Sequence, residues 1–173
     1  MDEAESAAMA DLAARIFQAA RAGDTDALAR FLDQGLPPNL SNEKGDSLVM
    51  LASYSGHTKT VRMLLDRQAD PDRTNDRGQT PLAGAAFKGE VAVIEALLDG
   101  GAAVDGAGPD GRTPLMMAAM FNRLDAMRLL LDHGAKPDAS TPEGATALSM
   151  ARTMGAGEAA EFLEKLEQQP GSI

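Results

Sequence analysis

The chain has 173 residues, no cysteine, and 16 Lys and Arg against 26 Asp and Glu, a formal net charge of −10. Its length fits one domain, and 44% hydrophobic residues are enough for a core, which excludes general disorder. The acidic balance argues against nucleic acid and anionic membranes as partners, since both need a basic face; without cysteine there are no disulfides, thiolate metal sites or cysteine nucleophile.

In chain order, residues 1–11 are expected to be a tail or the start of a capping helix. Met1-Asp2-Glu3-Ala4-Glu5 is acidic where a signal peptide would be basic. Residues 12–42 read as a capping unit with no turn before it. From there the same residues return every 33 positions: Gly45, Gly78, Gly111 and Gly144; Gly23, Gly56, Gly89, Asn122 and Gly155; Leu32, Leu65, Leu98 and Leu131; Asp33, Asp66, Asp99 and Asp132; Asn39, Asp72, Asp105 and Asp138. Several independent columns at one period mark an array of about five units, bounded at 43–75, 76–108, 109–141 and 142–167 after the cap. Residues 168–173 are expected to be a flexible tail. The longest apolar run, Leu115 to Phe121, is too short to span a bilayer, so a cytoplasmic protein is the expectation.

The unit 76–108 shows how one repeat is built. Asp76-Arg77-Gly78 is turn chemistry. Thr80 is a good N-cap and Pro81 suits the first helical position, so a short helix is expected from about Pro81 to Lys88. Gly89 ends it in the left-handed region, and Asn122, the other residue tolerated there, takes that place one unit later. A second helix is expected from about Val91 to Asp99, with Val91, Ile94, Leu97 and Leu98 on one face. Gly100-Gly101 closes it, and 102–107 lead extended into the next turn.

Gly78-Gln79-Thr80-Pro81-Leu82-Ala83-Gly84-Ala85-Ala86, Gly111-Arg112-Thr113-Pro114-Leu115-Met116-Met117-Ala118-Ala119 and Leu130-Leu131-Asp132-His133-Gly134-Ala135 carry a resemblance to a known family. With the period of 33, they make the chain resemble the ankyrin repeat family from roughly Leu12 to Leu166. The histidine usual after Thr-Pro-Leu is replaced by Met50, Ala83, Met116 and Ser149. The resemblance implies an all-α solenoid of about five helix–turn–helix units joined by β-turn or hairpin-like loops, a small stand-alone array of bacterial type. Stacking should bury Leu64, Leu97, Leu130 and Leu163 as a spine, with Ala52, Ala85, Ala118 and Ala151 letting the first helices approach closely.

The resemblance also implies that a protein partner binds the concave side, made of turn tips and first helices. Matching positions at the tips include Lys44 and Asp46, Arg77 and Gln79, and Asp110 and Arg112. At the ends of the first helices they are Tyr54 and Ser55, Phe87 and Lys88, Met120 and Phe121, and Met154. Three of six aromatics fall in this second set, and aromatics and Met are enriched at interfaces. The competing reading has these side chains packed between units.

Other chemistry is weakly represented. His57 and His133 are far apart and lack cysteine companions, so no metal is expected. His57 reads as a loop residue, and His133 as one near a helix C-terminus. The stretch from Asp105 to Gly111 lacks calcium-loop spacing, and there is no phosphate loop. The recurring aspartates read first as turn formers. With no nucleophile–base pair or cofactor motif, the expectation is a monomeric, non-catalytic adaptor or regulator without cofactor. The alternative is an acidic inhibitor or immunity-type protein that blocks one basic target.

Overall fold

Four side chains recurring at the period start the first helices. Met50, Ala83, Met116 and Ser149 donate their backbone N–H to Ser47 Oγ, Thr80 Oγ1, Thr113 Oγ1 and Thr146 Oγ1 at 3.1, 3.1, 3.3 and 3.2 Å. Each bond satisfies a donor that the helix itself leaves free. Units with Ser47-Leu48 and Thr146-Ala147 are thus capped as well as those with Thr-Pro. In two units the residue standing for the usual histidine returns the bond: Thr146 N–H donates to Ser149 Oγ at 2.8 Å, and Thr113 N–H to Met116 Sδ at 3.5 Å.

The computed structural model describes residues 3–168. Of the tail expected at 168–173, only Gln168 falls within them, as the last residue of a helix; 169–173 lie outside the described residues, as do Met1 and Asp2. Ten helices follow: α1 Glu3–Ala22, α2 Thr25–Asp33, α3 Leu48–Tyr54, α4 Thr58–Asp66, α5 Pro81–Lys88, α6 Val91–Asp99, α7 Pro114–Met120, α8 Leu124–Asp132, α9 Ala147–Thr153 and α10 Gly157–Gln168. The unit 76–108 has the two helices its sequence predicts, with the same bounds. No named strand occurs among the described residues; isolated bridges join Ser41 to Ser47 and Ser140 to Thr146 at two tips. None of the helices described is long and apolar enough to cross a membrane.

Odd-numbered helices pack on one another in chain order, and so do α2, α4, α6 and α8, while α10 packs on α9 and α7, giving a two-layer all-α solenoid. The helix-ending column has φ between +56° and +77° at Gly23, Gly56, Gly89, Asn122 and Gly155. Asn122 also accepts the Ala159 N–H at 2.8 Å, tying its unit to the next. Leu64, Leu97 and Leu130 are 0% exposed and Leu163 is 2%, so the spine is buried. The alanines 52, 85, 118 and 151 are all 0% exposed where first helices meet.

The aspartate column read as turn formers does something more. Asn39 Oδ1 accepts the Asp70 N–H at 2.7 Å, Asp72 Oδ1 the Ala103 N–H at 3.0 Å, and Asp105 Oδ1 the Lys136 N–H at 3.1 Å. Each side chain reaches 31 residues on, to a backbone donor of the next unit. The same principle holds at the helix ends. A ring N–H of His57 (Nε2) donates to Arg21 C=O at 2.9 Å, and Arg123 Nε donates to Phe87 C=O at 3.1 Å.

Candidate functional site

The first two tips are tight turns, each closed by an asparagine side chain. Asn75 Oδ1 accepts from the N–H groups of Arg77 (3.1 Å) and Gln79 (3.0 Å), and Asn42 Oδ1 does the same for Lys44 and Asp46, both at 2.9 Å. These two tips are also joined to each other. Asp76 N–H donates to Lys44 C=O at 3.0 Å, and Asn75 Nδ2 donates to Asp46 Oδ1 at 2.9 Å. These two neighbouring tips therefore hold their charged side chains on a common framework.

Between these tips and the ends of α3, α5 and α7 lies a cleft of about 510 Å³. Its size falls within the ordinary range of ligand and peptide clefts. Ten of the thirteen residues expected at the site line it: Asp46, Arg77, Gln79, Asp110 and Arg112 from the tips, with Tyr54, Ser55, Phe87, Met120 and Phe121 from the helix ends. Three do not: Lys44 and Lys88 are exposed but lie outside its lining, and Met154 is 50% exposed at the end of α9. The Lys88 ammonium sits 4.6 Å from the Tyr54 ring centre, a cation–π contact.

The aromatics divide between the two readings. Tyr54 is 51% exposed, a large apolar surface open to solvent. Phe87 and Phe121 are half-buried and meet edge to face, with ring centres 4.5 Å apart and planes at 82°. They pack between units as the competing reading has it, and yet both present a face to the cleft. Such a pair is a preferred aromatic geometry and holds the wall rigid.

Several lining residues were not singled out from the sequence: Met50, Leu51, Gly84, Met117 and Arg21. Most of them carried a signal. Met50 and Leu51 precede Tyr54 by four and three positions, Gly84 precedes Phe87 by three, and Met117 precedes Met120 and Phe121 by three and four. That is the spacing of one helix face. Arg21 lies one unit before Tyr54 and gave no sign beyond its column.

A second depression, about 720 Å³, lies between α1 and α2 at the capping end. Four alanines line it together with Arg15, Gln18, Asp24, Arg30 and Gln34, and Phe31 is its one aromatic. Among the described residues, no group of three His, Asp or Glu is placed to hold a metal ion.

Residues 16–106 and 101–172 match a family model described as ankyrin repeats in three copies. An ankyrin repeat protein of Pseudomonas aeruginosa is 60% identical over 40 residues, which is 23% of this chain and 23% of that protein. The chain thus aligns with less than a quarter of that relative's length.

Proposed function

The chain belongs to the ankyrin repeat family, and from that premise we propose that it is a non-catalytic adaptor or regulator which binds a partner protein through its first helices and turn tips. Ankyrin repeats are generally protein–protein interaction modules and typically non-catalytic. The observation that carries the reading to particular residues is the cleft, where an exposed Tyr54, half-buried Phe87 and Phe121, and charged tips converge. An apolar floor with a polar rim is the usual anatomy of a protein-binding patch. In this reading the protein is a cytoplasmic monomer that leaves nucleic acid and membranes alone.

The cleft mixes charges: Arg77, Arg112, Asp46 and Asp110 from the tips and Arg21 from the end of α1 line it, in a chain whose net charge is −10. A basic target blocked by charge alone is therefore a poorer match to this face than a partner that offers apolar surface. Pull-down from native lysate with the intact protein and with a Tyr54→Ala/Phe87→Ala variant tests the reading. The variant is expected to lose bound proteins, each truncation weakening binding by about 1–3 kcal/mol if it removes a hot spot. Identical partner sets held with identical affinity would contradict it.

A further inference from the structure

One helix position in the cleft runs against its own column. At the period of 33, Gly84 stands where the other units have Leu51, Met117 and Met150. Glycine inside a helix is unfavourable, because its backbone loses the most freedom on ordering. Nothing in the protein requires it there. A Cβ on Gly84 would meet only Tyr54 Cδ2, at 3.7 Å, an ordinary contact, and its backbone is not left-handed. The missing side chain opens a notch in the cleft between Leu51 and Met117, beside Tyr54 and Phe87.

Charge in the cleft is also unevenly satisfied. Asp46 accepts from Asn75 Nδ2 at 2.9 Å and Asn42 Nδ2 at 3.3 Å. Asp110 accepts from the Arg112 N–H at 3.1 Å and lies 3.6 Å from its guanidinium. Arg21 and Arg77 line the same cleft, and neither guanidinium has a hydrogen-bond or ion-pair partner among the described residues. Asp110 is paired with Arg112 and Asp46 is held only by neutral amides, so Arg21 and Arg77 outweigh the one uncompensated carboxylate of the lining and the excess charge there is positive, in a chain of −10.

We propose that the cleft takes an acidic peptide segment of a partner protein, one large apolar side chain of which fills the notch over Gly84 while a neighbouring Asp or Glu pairs with Arg77 and Arg21. The proposal rests on the docking role given to this face above. Arginine suits the task because its planar fork meets a carboxylate with two parallel bonds. The apolar residue supplies the anchor, and the acidic one fixes the register of the segment along the first helices.

Selection of a random 12-residue peptide library on the purified protein tests this. Enriched sequences are expected to carry a large apolar residue with Asp or Glu within three positions. Their Kd is expected to rise about tenfold or more with Gly84→Leu, which fills the notch, and with Arg77→Glu, which reverses an exposed charge. Lys59→Glu makes the same change in net charge away from the cleft and is expected to leave Kd unaltered. Raising the salt to half molar is expected to weaken binding. Circular dichroism verifies that each variant is folded, and Arg77→Glu at an exposed tip keeps the test valid if Gly84→Leu is disturbed. Enriched peptides that lack acidic residues but still respond to Gly84→Leu would overturn the proposal and leave the docking face standing. Peptides indifferent to Gly84→Leu, Arg77→Glu and Tyr54→Ala/Phe87→Ala would overturn both. Failure to enrich any sequence would overturn the proposal.

Discussion

Asn122 shows what a single side chain does in this array. It holds φ at +56° where its counterparts are glycine, and it accepts the Ala159 N–H at the start of α10. Asn122→Ala removes both features and is expected to cost about 2–3 kcal/mol, the left-handed penalty plus one hydrogen bond. Asn122→Gly keeps the backbone conformation and should cost about 1 kcal/mol; urea unfolding of the two variants checks the order, which equal midpoints would contradict. Ser53 is the opposite case, a buried hydroxyl with no partner among the described residues. Ser53→Ala is expected to leave stability unchanged or raise it by up to about 1 kcal/mol, since no bond is lost and a desolvated polar atom is removed. The sequence made the helix-ending column legible because glycine and asparagine share one backbone preference. It did not reveal that Asn39, Asp72 and Asp105 bond to the next unit, because recurrence shows that a residue matters without showing where its side chain reaches. The contact between Phe87 and Phe121 escaped for a related reason. They are 34 positions apart, one unit and one residue, so they sit in different columns and meet only once neighbouring helices are stacked.

Among the elements, the first helices are seven or eight residues long in the four units after the cap. Helices this short do not persist alone, so their caps and neighbours hold them. Thr80→Ala leaves the Ala83 N–H without its acceptor and is expected to cost about 1 kcal/mol, read from the unfolding midpoint. Thr80→Ser is expected to restore most of that loss, whereas an equal loss would argue for the Thr80 methyl in place of its hydroxyl. On α10, Lys165 Nζ donates to Glu161 Oε1 at 2.6 Å, and this hydrogen bond, with the charge behind it, holds the Glu161 carboxyl below the usual carboxylate range. The folded-state value is depressed, so the small stabilisation is present above the unfolded value and is lost as pH falls through the folded one. Carbon-13 titration of Glu161 is expected to return to the ordinary range in Lys165→Ala. The bounds of α5 and α6 were legible in the sequence because Thr-Pro, glycine and apolar spacing all point to them. The tilt that brings three helix ends and three tips around one cleft was not, since it arises from packing between units.

At the scale of the whole molecule, each unit leans only on those beside it, so a local loss should stay local at the ends and spread from the middle. Leu97→Ala and Leu163→Ala each truncate a buried spine residue and are expected to cost about 2–5 kcal/mol within their own units. Hydrogen exchange should separate them: Leu163→Ala speeds exchange in α9 and α10 and spares α3 to α6, whereas Leu97→Ala speeds exchange on both sides of α6. Uniform loss of protection in both variants would contradict an array of nearest-neighbour units. The central claim concerns where this array meets its partner. Hydrogen exchange of the protein, free and bound to a partner recovered from lysate, tests it most directly. The account predicts slowed exchange in residues 50–55, 75–88 and 110–121, which form the cleft and its tips. Slowing confined to α4, α6 and α8, with those segments unchanged, would contradict it.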